Sequence, residues 1–241
     1  MNYKEYVNSI SFKVVQPERR VRGFFKLDGI ATPLGLSLEA LNTRLPESDA
    51  QMTAKLRQLL TIPRMSTFAI AAMNSKAVSQ MNDEHCFVNV GVWNGFSFLA
   101  GMINNPNKTC IGIDNFSQFG GPKEAFLRRF EQYRSPRHAF HDMDYKEYFA
   151  SVHKGKIGFY IYDGEHSYEN QLEGLRVAEP FFSERCLILV DDTNFEEPRR
   201  ANLDFIAQSA NKYEIVLDRH TCKNGHPTYW NGVMILQRIP G

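Results

Sequence analysis

The chain has 241 residues, enough for one sizeable α/β domain with an added segment and marginal for two full domains. Apolar residues make up 43% and aromatic residues 12%, so a packed core is easily built. Lys plus Arg (28) nearly balances Asp plus Glu (27), which leaves no global electrostatic footprint for nucleic acid or an anionic membrane.

The opening "MNYKEYVNSI" mixes acid and base and has no apolar h-region, so it does not read as a secretory signal. No apolar run approaches the roughly 18 residues needed to span a bilayer, and the expected location is the cytoplasm. Residues 1–47 show no clear period and read as an irregular arm, a lid or an oligomer contact. "SDAQMTAKLRQLL" (48–60) opens with Ser48-x-x-Gln51 and sets Met52, Leu56, Leu59 and Leu60 along one helical face. A second helix, rich in Ala and Met, is expected over 65–81, its Met and Phe stripe serving as core packing. These stretches form an N-terminal segment, 1–85.

From residue 86 the pattern changes. "CFVNV" (86–90), "TCIGID" (109–114), "RHAFH" (137–141), "KIGFYIYD" (156–163) and "CLILVD" (186–191) read as strands. Amphipathic stretches near 96–104, 122–134, 145–153 and 167–181 separate them. Continuous apolar strands alternating with helices predict a mostly parallel, Rossmann-like α/β sheet covered on both faces, over 86–241. Ser167 is placed to cap the helix after Asp163, and Thr193-x-x-Glu196 fits a capping box after Asp191–Asp192. "YEIVLDR" (213–219) and "YWNGVMILQR" (229–238) predict an antiparallel pair closing one sheet edge. Cys86, Cys110, Cys186 and Cys222 are widely spaced with no C-x-x-C pair, which predicts reduced, mostly buried thiols.

In "FVNVGVWNGFSFLAG", Gly91 and Gly95 join the first strand to its helix. Such a turn lets backbone N–H groups approach a nucleotide-type ligand, although glycines at this place also serve packing alone. The spacing is G-x-x-x-G, not the dinucleotide binder's G-x-G-x-x-G. Asp114 ends the second strand just over twenty residues later, where a carboxylate can accept both hydroxyls of a ribose. Asp142 ends the third strand near the place of an adenine amino group, and Asp144 is a plausible helix cap.

Taken in order, "VNVGVWNGFS", "GIDNF", "YDGEHSYE" and "LVDDTN" resemble the class I S-adenosylmethionine (SAM)-dependent O-methyltransferases, nearest to those that tailor macrolide sugars and antibiotics. The resemblance covers about residues 65–240. It implies cofactor-binding roles for Asn89, Gly91, Trp93, Gly95, Ser97, Asp114, Asn115, Asp142, Met143 and Asp163. Asn89 departs from the family's usual acid at that position, which removes a charge. Metal-dependent members hold Mg²⁺ with acids that match Asp163, Asp191 and Asp192. In that family's sheet, the strands ending in these acids are neighbours. Three carboxylates so close repel unless a cation or protons neutralise them, and oxygen ligands suit Mg²⁺. Capping of the following helices remains the ordinary alternative for Asp163 and Asp192. His166 matches the family's general base, with Glu165 as the rival. Trp93, Phe116 and Phe195 stand where they would wall a pocket, and "HPTYW" (226–230) can reach it.

The expected activity is methylation of a hydroxyl on a small molecule or sugar with adjacent oxygens. Two other readings stand beside it: an NAD(P)-dependent oxidoreductase, and a non-catalytic SAM- or nucleotide-binding module that assembles through residues 1–85. Self-association through the arm is a further expectation.

Overall fold

The structure is a computed structural model that describes residues 1–31 and 36–241. Its centre is a seven-stranded sheet. Five parallel strands come first: β3 (His85–Val90), β4 (Thr109–Asp114), β5 (His138–Asp142), β6 (Lys156–Tyr162) and β7 (Phe182–Asp191). β8 (Lys212–Arg219) and β9 (Val233–Ile239) follow, and the spatial order is β5-β4-β3-β6-β7-β9-β8. β9 runs antiparallel to both β7 and β8, so the edge pairing predicted from the tail is present. The chain order reverses on either side of β3, and such a switch point opens a crevice at the carboxyl ends of the strands.

Residue alternation along β3 shows why the sheet is covered on both faces. Cys86, Val88 and Val90 join one buried cluster with Tyr160, Leu175 and Phe205. Phe87 joins the other, with Phe98, Phe126 and Phe159. Helices α8 (Tyr145–Ser151), α9 (Tyr168–Ala178) and α10 (Glu196–Gln208) supply the first cluster. Helices α5 (Phe68–Gln80), α6 (Phe96–Met102) and α7 (Lys123–Tyr133) supply the second.

Residues 1–47 are more regular than their sequence suggests. They contain α1 (Tyr3–Ser9), α2 (Phe24–Ala31), α3 (Leu38–Asn42) and a two-stranded sheet of β1 (Ser11–Phe12) and β2 (Thr43–Arg44). These elements are too short to show a period, and α1 is defined by its Asn2–Glu5 capping box instead. The arm is not peripheral: Tyr6 and Val7 are fully buried in the cluster that holds α5. Arg64 ties α3 to α5 through Glu39 (Nη2–Oε2 2.9 Å), and the other Glu39 oxygen accepts the Phe68 N–H. The loop after β1 docks on the tail, where Cys222 N–H donates to Pro17 O (2.9 Å) and the His226 ring bonds Arg19 O (2.9 Å).

A 3-10 turn (Glu47–Asp49) precedes α4 (Ala50–Arg57), and the Asp49 side chain is engaged by Lys76 (3.1 and 3.2 Å). Two expected caps take another form. Ser167 stands at the N-cap of α9 without a bond to the helix backbone; its Oγ accepts from Asn170 Nδ2. The Thr193–Glu196 box does not form, because Asp192 turns left-handed (φ 55°) and α10 starts only after Phe195. β9 also starts later than predicted, since residues 229–232 form a turn with Trp230 (φ 54°) and Gly232 (φ 86°) in left-handed conformations.

Candidate active site

A cavity of about 420 Å³ opens at the carboxyl ends of β3, β4, β6 and β7. The glycine turn after β3 forms its floor. Gly91 has φ 78°, and a Cβ there would lie 1.9 Å from the Asp163 carbonyl oxygen. Only glycine permits this approach of β3's turn to the end of β6, which Asp163 N–H seals by donating to Val90 O (2.9 Å). Asp114 organises the same turn. Its Oδ2 accepts the N–H groups of Val92 (2.9 Å) and Trp93 (2.8 Å), and its Oδ1 accepts that of Phe116 (2.7 Å). Three of its roughly four acceptor positions are thus filled by backbone.

Eleven of the fourteen residues expected at the site line the cavity: Gly91, Trp93, Ser97, Asp114, Asn115, Met143, Asp163, Glu165, His166, Asp191 and Asp192. Asn89, Gly95 and Asp142 do not. Asn89 is fully buried and faces the α5–α6 side, where its Nδ2 braces the turn through Val90 O (3.1 Å) and Gly91 O (3.0 Å). Gly95 is the left-handed N-cap of α6, packed under Phe126. Asp142 is exposed and paired with Lys123, while Asp144 caps α8 through Lys146 N–H (2.8 Å). The aromatic walls are present, for Trp93, Phe116, Phe195 and Trp230 all line the cavity.

The sheet register brings the acids together. Ile161 pairs with Leu189, so two residues further on Asp163 stands beside Asp191. Asp191 is only 8% exposed, and its Oδ1 is buried with no hydrogen-bond partner. His166 Nε2 lies 3.5 Å from Asp163 Oδ1 and 3.6 Å from Asp192 Oδ2. Its Nδ1 faces Gln171 Oε1 at 3.4 Å. Asp192 is held from another direction, by Asn231 Nδ2 on Oδ1 (2.7 Å). Among the described residues, Asp163, His166 and Asp191 form a group whose candidate ligand atoms all lie within 4.8 Å of one another. Glu165 stays outside it, exposed and bonded to Asn170 (2.9 Å).

The electrostatics follow from this crowding. Burial, reinforced by the charges of Asp163 and Asp192, raises the Asp191 carboxyl well above the usual carboxylate range, with His166 pulling the other way. Burial also raises Asp192, against the stabilising His166 charge and Asn231 bond. Burial alone would lower His166, but its bond to Asp163 and the charges of Asp191, Asp163 and Asp192 push it up to about 10. The acids thus favour a positive charge at the imidazole, as they would favour one on a cation held among them.

Sequence reasoning missed several lining residues. Arg64, Met65 and Ser66 come from the segment entering α5, Tyr145 starts α8, Tyr162 ends β6, and Asn231 lies in the turn before β9. The "PRMST" stop-and-cap signal before α5 marks a loop at a helix start, but its place at this sheet edge is a property of the packing.

Residues 88–193 match a family model described as a methyltransferase domain. A comparison with curated proteins finds no significant match. Among solved structures, the chain is similar to the cofactor-bound Rv0187 protein from MTB, with TM-score 0.60 and 12% identity over 92% of this chain and 100% of that one. It is also similar to a protein provisionally described as an O-methyltransferase from Klebsiella pneumoniae (TM-score 0.57, 10% identity, 90% of this chain and 99% of that one). A third is provisionally described as a caffeoyl-CoA O-methyltransferase from Staphylococcus aureus (TM-score 0.56, 10% identity, 90% and 99%). At these identities the likeness is one of fold, and that fold is Rossmann-like. The matched stretch runs from β3 through β7 to Asp191 and Asp192, and so includes the glycine turn and the acids that line the cavity. Among the described residues, no helix is long and apolar enough to cross a membrane.

Proposed function

We propose that the protein is a SAM-dependent O-methyltransferase that uses a divalent cation, with Mg²⁺ as the expected ion. Its acceptor is a small molecule or sugar bearing two adjacent oxygens. One observation carries the reading: Asp163, Asp191, Asp192 and His166 converge in the same cavity as the glycine turn and Asp114. The residues fit both groups. A buried Asp191 oxygen without a partner is costly unless a cation or proton meets it. The cavity volume falls within the ordinary range for small-molecule sites.

When bound, the cofactor supplies an electrophilic methyl group on a sulfonium sulfur, and the cation supplies Lewis-acid activation of a hydroxyl. The chain's own residues do the rest. Gly91 and Asp114 hold the turn on which the cofactor's nucleoside would lie. Asp163 and Asp191 would hold the cation, with Asp192 beside them. Trp93, Phe116, Phe195 and Trp230 wall the cavity and exclude water, so a bound acceptor is held in line instead of tumbling. His166 and Asp192 are the groups in the cluster able to take the hydroxyl proton; Glu165 is turned away from it.

Titration calorimetry with SAM and with NAD⁺, each with and without EDTA, tests the cofactor. A methyl-transfer assay on a panel of vicinal diols, catechols and sugars tests the reaction. SAM binding with cation-stimulated turnover is expected, and Asp191→Ala should abolish the stimulation while sparing SAM binding. NAD⁺ binding in place of SAM would point to the oxidoreductase reading, and SAM binding without turnover on any diol would leave a binding module.

A further inference from the structure

We propose that His166 is itself a ligand of the cation, forming with Asp163 and Asp191 a set of two carboxylates and one imidazole that prefers a first-row ion such as Mn²⁺ to Mg²⁺. The inference rests on the cation-dependent reading above and divides the two proton acceptors named there: His166 becomes a ligand, which leaves Asp192 as the acceptor.

Geometry separates the two. The ligand atoms of Asp163, His166 and Asp191 lie within 4.8 Å of one another, and no Asp192 atom belongs to that group. Adjacent oxygens around a small octahedral ion sit about 3 Å apart, which modest side-chain rotations would reach. Asp192 cannot rotate as freely. Asn231 holds Oδ1 at 2.7 Å, and Asn231 is fixed in turn by Gly225 N–H on its own Oδ1 (2.6 Å).

The imidazole is oriented as a ligating one would be. A metal-bound histidine ordinarily gives its second ring N–H to a fixed acceptor. Here Nδ1 faces Gln171 Oε1 at 3.4 Å, and Gln171 is fully buried against Asn202 (3.5 Å) on α10. Nε2 is thereby turned towards the acids. Asp191 provides a second observation: it is 8% exposed, lines the cavity and keeps Oδ1 without a partner. An imidazole nitrogen suits first-row transition ions better than Mg²⁺, and Mn²⁺, which also accepts oxygen donors, is the member of that row nearest Mg²⁺ in ligand preference. With His166 engaged, Asp192 would be left to take the acceptor's hydroxyl proton; the O–H electron pair would form the new bond from oxygen to the methyl carbon, and the pair of the broken methyl–sulfur bond would stay on sulfur.

The test is titration of Mn²⁺ into the metal-free, full-length protein, with free ion followed by electron paramagnetic resonance and bound ion by electron spin echo modulation. One site per chain is expected, showing modulation from one directly bound imidazole nitrogen. Mg²⁺ should displace Mn²⁺ only at concentrations about 10-fold higher or more. His166→Gln should remove the modulation and weaken Mn²⁺ about 10-fold or more. Bound Mn²⁺ without nitrogen modulation, or equal affinity for the two ions, would overturn the proposal and leave the cation-dependent reading with an oxygen set. Absence of any Mn²⁺ or Mg²⁺ binding would remove both.

Discussion

Gly91 and Asp192 hold two different kinds of backbone stress at the cavity. At Gly91 the constraint is steric, because the Asp163 carbonyl occupies the space a side chain would need. Gly91→Ala is expected to cost about 3 kcal/mol, combining left-handed strain with the collision, and the urea midpoint would show it. At Asp192 the strain is one of conformation, with the side chain held among the acids and His166. A β-carbon residue at φ 55° beside two other acids costs stability that Asp192→Gly should return, by about 1 kcal/mol, while methyl transfer collapses. Paired denaturation and turnover measurements on that variant check both halves. What could be read at this scale was the identity of the strand-end acids, since a strand ending "YDGEH" or "LVDD" fixes position and chemistry together. What could not be read was facing. Asn89 lies two residues before the first glycine, yet the strand's alternation turns it into the α5–α6 layer. Asp142 meets Lys123, nineteen residues away, through a helix placement that no local pattern encodes.

The arm's anchorage is a matter of short elements gripping one another. Glu39 on α3 is fully buried and shared between the Arg64 guanidinium and the start of α5. Desolvation raises its carboxyl, with Arg64 opposing the shift. Glu39→Ala would take away the nearer of the arginine's two buried acids and leave only the longer contact with Asp28 (3.9 Å). The expected loss is about 3 kcal/mol in chemical denaturation, with weaker SAM binding because Arg64 lines the cavity. The α8–β6 connection makes a separate prediction. His153 is buried among Phe149, Tyr148 and Phe181, and burial lowers its imidazole to about 4 from the ordinary 6.5. Below pH 6.5 the unfolded chain takes up a proton that the folded chain refuses. Stability is therefore full above that pH and falls towards pH 4, by about 1.4 kcal/mol per unit for this one group. Replacing His153 by Gln should make the dependence measured between pH 6.5 and 5 shallower, with His138, His141 and His226, which burial also lowers, keeping the rest of it. Long elements were legible from periodicity, and β4 falls on the predicted residues. The elements of the arm were not, because two to eight residues carry too few apolar positions to show a face.

For the molecule as a whole, one apolar cluster runs from Tyr3 through α5 and α6 to Ile235 on β9. Residues 1–85 thus provide one wall of the layer that covers the sheet. A fragment of residues 86–241 would expose that layer, and it should bind the dye ANS and lack a cooperative thermal transition. A cooperative transition in the fragment would show that the sheet domain stands alone. The mostly parallel sheet with its antiparallel edge was legible from the alternation of apolar strands and helices, whereas the neighbouring of the strands that end in Asp163 and Asp191 was an implication of the family resemblance. The docking of the arm was not, because its hydrogen bonds join residues about two hundred positions apart.

The contact between Pro17 and Cys222 offers a practical handle on that docking. Of the four cysteines three are buried, and Cys222 alone is partly accessible, on the stretch that leads to Asn231 and so to Asp192. A fluorophore attached to this thiol would sit where the first segment of the protein meets its last. Its emission would register loosening of that seam upon ligand addition, with no tryptophan substitution needed.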